Sequence, residues 1–210
     1  MEFENYKQQL AAWPHEGKHI LAQFDESSVV VYQAYRTSIA QYAVEHQRFG
    51  GDFSFTRMSW IKPNFLWMMY RSGWAGKSDQ EHILAVRLKR AFFDRILEHA
   101  VASSFPASHM TDREQWQAAV STSDARLQWD PDHDPFGTTV PRRAMQLGLR
   151  GNALDEYATS AIISVEDITQ FVHDQRPNVV GDCNRLMLPT ERLYTPSAKA
   201  ANNIGLDTQS

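Results

Sequence analysis

Cysteine is nearly absent: Cys183 stands alone in the chain. One thiol excludes an intramolecular disulfide framework and any CxxC metal knuckle, and it fits a reducing, cytoplasmic setting. An excess of basic charge is also missing. Lysine and arginine number 21 against 25 acidic residues, a formal net charge of -4, so the chain is not expected to coat nucleic acid through its overall charge, and any anion site must be local. Long apolar runs are lacking too. Phe65 to Tyr70, the most apolar stretch, is far too short to span a bilayer. The start, Met-Glu-Phe-Glu-Asn, lacks the basic-then-apolar pattern of a secretory signal. Neither GxSxG nor GxGxxG occurs, which removes the nucleophile-elbow and dinucleotide fingerprints.

What is present is a chain of 210 residues with 42% hydrophobic content, enough to bury one sizeable core. The expected organisation is an N-terminal extension over residues 1–15, a single globular domain over 16–180, and an extended or partly disordered tail over 181–210. A short helix around Tyr6 and Leu10 should stop at Pro14. Ile20 to Phe24 and the Val-rich Val29 to Tyr35 read as successive strands or a hairpin. Ser38 to Phe49 has helical spacing and ends at Gly50-Gly51. Ile83 to Leu88 reads as a buried strand. Phe92, Phe93, Ile96, Leu97, Ala100 and Val101 mark a helix face running to about Ser103-Ser104. Thr111 and Glu114 have capping-box spacing, Asp130 to Gly137 reads as a loop, and Ser164, Glu166 and Asp167 read as a helix start before Ile168. The pattern is α+β: a central sheet of short strands with flanking helices.

The most unusual segment is Arg57 to Trp74, RMSWIKPNFLWMMYRSGW, which holds half of the six tryptophans and three cations, Arg57, Lys62 and Arg71. Pro63 suits the first turn of a helix and Gly73 its end, so Pro63 to Ser72 is expected as a short helix, apolar nearly all round and therefore buried. Arg57, Ser59 and Lys62 directly precede it. Free backbone N–H groups, the helix dipole and two cations can hold a phosphate or carboxylate, with Trp60 stacking on a ring. The competing account pairs Arg57 and Arg71 with acids such as Asp79 or Glu81.

Arg142, Gln146 and Arg150 form a second candidate. Their spacing places them on one face of a strand or a helix, and Gly148 favours the strand. Two guanidinium groups and an amide suit bidentate recognition of phosphate or carboxylate, and a solvated face is the alternative. Tyr35 and Arg36 close the Val-rich strand, where side chains commonly reach a cleft. In Asp130 to Gly137 the acidic spacing invites an EF-hand reading, but positions 135 and 141, which need Gly and Glu, are both proline. No metal site is expected there, and Asp130 and His133 remain as acid–base candidates beside a plain turn. Gly73 to Ser78 is not a P-loop, because two residues separate its glycines instead of four.

VYQAY at 31–35, RMSWIKPNFLWMMYRSGW at 57–74, QWDPDHDP at 128–135 and RRAMQLGLRG at 142–151 together resemble the domain-of-unknown-function family numbered 4291, over roughly residues 15 to 178. That resemblance implies no activity and carries over no catalytic residue. The order of elements also looks like the compact α+β arrangement of ADP-ribosyltransferase-like proteins, in which short strands surround a nucleotide cleft; this implies NAD as a candidate cofactor and a transferase as a candidate enzyme class. The chain departs from that pattern at Tyr32 and Gln33, where a His is usual, and offers only Glu166 as a late catalytic acid.

Two functional readings follow. In the first, an enzyme or enzyme-like domain binds a phosphorylated ligand (nucleotide, NAD or RNA end) through Arg57, Lys62, Arg71, Arg142, Gln146 and Arg150, with Tyr35 or Trp60 on its ring and His133, Asp130 or Glu166 for acid–base work. In the second, a non-catalytic interaction domain uses the cations to hold an acidic partner or to brace the fold.

Overall fold

Three consecutive valines occur where one strand must feed two cores. In the computed structural model, which describes residues 1–207, β4 (Ser28–Tyr35) lies at the edge of an antiparallel sheet in the order β10 (Ile162–Asp167), β6 (His82–Lys89), β4. Successive side chains point to opposite faces. Val29 and Val31 therefore join Leu84, Val86 and Leu88 in one core, while Val30 and Tyr32 join Ile83 and Ala85 in the other. Burial on both faces explains the continuous apolar run.

The first core is closed by helices α2 (Thr37–His46), α4 (Arg90–His99) and α6 (Gly151–Ala158) and by a second sheet. That sheet contains β2 (Gly17–Lys18), β9 (Thr139–Leu149), β8 (Ala125–His133) and β7 (Val101–Ala102) in that order, with β5 (Ser59–Ile61) also paired to β9. The second core is closed by α1 (Tyr6–Ala12), α3 (Phe65–Ser72) and α7 (Thr169–Gln175). The chain is α+β, as its pattern implies.

The two sheets touch through one backbone bridge. The Tyr32 N–H donates to the Lys62 carbonyl at 2.7 Å and the Lys62 N–H returns to the Tyr32 carbonyl at 3.3 Å. Pro63 follows at once and has no N–H with which to continue a ladder.

Several boundaries differ from the sequence reading, each for a local reason. Helix α4 stops at His99, because Val101 and Ala102 pair in parallel with Arg126 and Leu127. The cap of α5 (Arg113–Thr122) is Asp112, whose carboxylate accepts from the Glu114 and Gln115 N–H groups, and not Thr111. Strand β8 runs on through Asp130 and His133, so the expected loop shrinks to a turn in which Asp134 Oδ1 accepts from the Phe136 and Thr138 N–H groups. Glu166 belongs to β10 instead of a helix start, although Asp167 does accept from the Thr169 N–H ahead of α7. Pro63 precedes the cap of α3 and does not sit in its first turn.

The segment read as a tail carries structure. Strand β11 (Met187–Pro189) pairs with β1 (Phe3–Asn5), and β12 (Arg192–Leu193) pairs with β3 (Leu21–Ala22). In α8 (Ala198–Ile204), Ala200 and Ile204 are buried, and Asn203 donates to the Leu97 and Ala100 carbonyls at the end of α4.

One residue of this segment decides how α3 begins. Glu191, 1% exposed, accepts from the Phe65 N–H at 2.6 Å and from the Asn64 amide at 3.2 Å, while Asn64 Oδ1 accepts from the Trp67 N–H at 2.7 Å. Burial pushes the Glu191 carboxyl well above its ordinary range, against the lowering effect of the Phe65 hydrogen bond. An internal carboxyl thus occupies the helix N-terminus that the sequence offered to an external anion. Glu191→Ala leaves two buried donors unpaired and is expected to cost roughly 2–4 kcal/mol in urea unfolding; a loss within ~0.5 kcal/mol would mean that water already serves this helix end.

Candidate functional site

Beyond the Tyr32–Lys62 bridge, β4 and β5 stop exchanging backbone hydrogen bonds and side chains take over. Gln33, 4% exposed, donates through Nε2 to Ser59 Oγ at 2.7 Å and to the Trp60 carbonyl at 3.2 Å, and its Oε1 accepts from the Tyr157 hydroxyl at 2.5 Å. The Tyr35 hydroxyl lies 3.0 Å from Ser59 Oγ. Burial raises the pKa of both Tyr35 and Tyr157, which keeps their hydroxyls protonated as donors. This polar row spans the divergence of the sheets.

The divergence forms a cleft of about 620 Å³, within the range of small-ligand sites. Tyr35, Arg57, Trp60, Lys62, Arg71 and Gln146 all line it. The sequence drew these residues from three segments, and the fold brings them to one place. Gln146 on β9 donates to Asp130 Oδ2 at 2.7 Å, and Gln128 on β8, its partner in register, donates to Asp130 Oδ1 at 2.7 Å. Asp130 thereby fixes the Gln146 amide at the cleft wall.

Lys62 sets the electrostatics. It is 5% exposed, and its ammonium donates only to the Trp60 carbonyl, at 3.4 Å. Among the described residues no carboxylate lies within ion-pair distance of it, and neither Arg57 nor Arg71 has an ion pair or a side-chain hydrogen bond. Burial lowers the Lys62 pKa to about 8; Arg71 adds to this, and Asp130 opposes it. At the rim Arg36 pairs with Asp52 at 3.0 Å, and Asp79 contributes a second carboxylate to the lining.

The other candidates stand elsewhere. Arg142, 4% exposed, donates to Asp132 Oδ2 at 2.7 Å through Nε and to the Pro14 carbonyl at 2.6 Å, with its guanidinium over Trp13. Arg150 donates to the Val120, Ser121 and Ser123 carbonyls at the end of α5, where its charge suits the dipole. The His133 ring stacks on Tyr70 at 3.5 Å and faces Trp67; burial lowers its pKa, and its Nδ1 has no partner among the described residues. Glu166 is exposed on β10, 3.7 Å from the Met1 amino group. Cys183 is buried, and burial raises its thiol pKa, so it has no thiolate character.

Gln33 is a lining residue that sequence reasoning did not select. The available signal was a lone amide inside a run of buried β-branched and aromatic residues, which must find partners to be tolerated. Among the described residues no group of three or more metal-ligating side chains converges, and no helix is long and apolar enough to cross a membrane.

Comparison with protein families matches residues 19–194 to the model described as "Domain of unknown function (DUF4291)". The chain belongs to that family. No curated protein matches it.

The buried ammonium has a measurable consequence. Its folded pKa, about 8, lies below the ordinary lysine value, so the unfolded chain binds the extra proton between the two. Stability contributed at this site is therefore withheld below about pH 8 and gained as pH rises toward ~10.4. Lys62→Met is expected to raise stability at pH 7 by up to about 3 kcal/mol and to flatten the rise over that interval. Urea unfolding of both proteins across the interval reads this as a difference, and parallel curves would refute it.

Proposed function

We propose that this member of the family binds a phosphorylated small molecule of nucleotide size in the cleft between its two sheets. The carrying observation is Lys62: a buried ammonium with no carboxylate counter-ion, beside two uncommitted guanidinium groups, has a local positive charge that a phosphate neutralises. A chain with net charge -4 has this excess only locally. Arg57 and Arg71 reach the phosphate from the exposed rim, and Lys62 adds its positive charge to the same cleft. Trp60, half-buried at the wall, and Tyr35 offer ring surfaces for a base. Gln146, held by Asp130, presents a polar contact of fixed orientation.

Nucleotides, NAD and the 5′ end of RNA share this chemistry, and the open rim admits any of them. NAD with a transferase reaction is the finer version suggested by the order of elements. Glu166, His133 and Asp130 lie outside the cleft lining, so acid–base work at the ligand falls to Lys62.

Thermal unfolding with 1 mM ADP, NAD, pyrophosphate or a 5′-phosphorylated oligoribonucleotide, against adenosine as the uncharged control, tests the reading. A ligand present at a hundred times its Kd stabilises by about 2.7 kcal/mol, a rise on the order of 5–10 °C for a chain of this size. The rise is expected to shrink in Arg57→Ala and Arg71→Ala, whose side chains are exposed and whose loss leaves the fold intact. No rise with any phosphorylated compound, or an equal rise in both variants, would leave the cations as braces or as a surface for an acidic partner.

A further inference from the structure

We infer that Lys62 is a reactive amine that condenses with the carbonyl carbon of a phosphorylated aldehyde or ketone held in the cleft. The inference rests on the phosphate reading of the same cleft and names the class of compound and the atom that meets it.

Position comes first. The Lys62 N–H and carbonyl are both hydrogen-bonded to Tyr32, Pro63 stiffens the next residue, and the buried side chain lines the cleft. Lys62 is desolvated, has no carboxylate at ion-pair distance among the described residues, and lines the cleft. The charged groups around it are Arg57 and Arg71, the Arg36–Asp52 pair, Asp79 and Asp130. Of these Arg71 acts against the ammonium and Asp130 for it, and burial outweighs both. Desolvation beside another cation is the established route to a nucleophilic lysine. With a pKa of about 8, the share of free amine at neutral pH is on the order of a hundredfold above that of an exposed lysine.

The arrangement also divides the labour. Arg57 and Arg71 at the rim take the phosphate, which places the carbonyl end of a short ligand toward Nζ. The lone pair of neutral Nζ forms a bond to the carbonyl carbon. The carbonyl C–O bond then breaks, and the oxygen leaves as water with the two amine protons, giving an imine. Nothing is oxidised or reduced, and the water exits through the open side of the cleft. The Trp60 carbonyl accepts one N–H of the amine and leaves the lone pair free.

Pyridoxal 5′-phosphate followed by sodium borohydride is the probe, since hydride reduces the imine carbon and leaves a stable secondary amine. Peptide mapping of wild-type protein is expected to place one phosphopyridoxyl group on Lys62, formed at least ~tenfold faster than on exposed lysines such as Lys77 or Lys89, with a pH midpoint near 8. Lys62→Met should lose this label, and pyridoxine 5′-phosphate, which has the phosphate but no carbonyl, should slow it. If pyridoxine 5′-phosphate raises the unfolding temperature while Lys62 stays unlabelled, the phosphate reading stands and the amine proposal is overturned. Equal labelling by pyridoxal lacking the phosphate, or label spread over exposed lysines, also overturns it.

Discussion

Everything at the cleft depends on one pair of backbone hydrogen bonds, between Tyr32 and Lys62. They dock β5, which belongs to the β9 sheet, against the outer edge of β4. An antiparallel ladder continuing from that bridge would set Ala34 opposite Trp60 and Tyr35 opposite Ser59. Side chains replace the ladder there: Gln33 and Tyr35 reach across to Ser59 and the Trp60 carbonyl. The strands diverge at the point where main-chain pairing gives way to side-chain pairing, and the divergence is the cleft. Pro63 prevents the ladder from extending the other way.

The charges near this seam are sorted with equal economy. The positive end of α3 is satisfied internally by Glu191 and Asn64, so the nearby cations are left without an acid of their own. Had an external anion served the helix, Lys62 would be one donor among several. With Glu191 in place, Lys62 lines the cleft without an ion-pair partner among the described residues, and its burial outweighs the opposing charge of Asp130. Interior charge without a partner is rarely kept for stability, because a hydrophobic residue of similar size costs less. Its retention beside a solvent-open cavity favours a role in meeting something that enters.

How much of this was legible in the sequence follows from how local each determinant is. The apolar helix with its stop at Gly73, the Val-rich strand and the polarity of β9 are set by neighbours, and they read correctly, whereas the helix start lies past Pro63 at the Asn64 cap. Even spacing did place Gln146 on a useful face. It placed Arg142 and Arg150 there too, and they went elsewhere because strand residues four apart are separated by about 13 Å. Arg142 lies in a register shift where Asp132 pairs with Val140, and the irregular backbone turns its guanidinium to Asp132 and Pro14. Arg150 finds the carbonyl end of α5. Both partnerships join segments whose proximity no spacing rule encodes. Asp130 to His133 read as a loop for a related reason, since Pro131 normally argues against a strand, and here it sits beside the register shift. The C-terminal segment was hidden by composition: its polar residues act as caps and partners for α3 and α4, tasks that invite Glu, Asn and Ser instead of an apolar stripe.

The run from Arg57 to Trp74 identifies the family because it is a spatial unit as well as a sequence motif. Its first residues form the cationic rim, Trp60 forms the wall, Lys62 forms the seam and its donor, and the apolar helix anchors all of them in the second core. Gly148 on β9, opposite Trp60 in register, completes the unit: a Cβ there would lie 3.0 Å from the indole and 2.6 Å from Met58 Sδ, closer than packed atoms tolerate. Glycine at that position lets Met58 and the Trp60 indole pack this closely against β9 without either side chain shifting. A helix that merely filled the core would be indifferent to the cations before it and to a glycine on a neighbouring strand. Their joint dependence ties the fold's most apolar segment to the cleft's charge, so a change that disturbs the packing of α3 also moves Lys62.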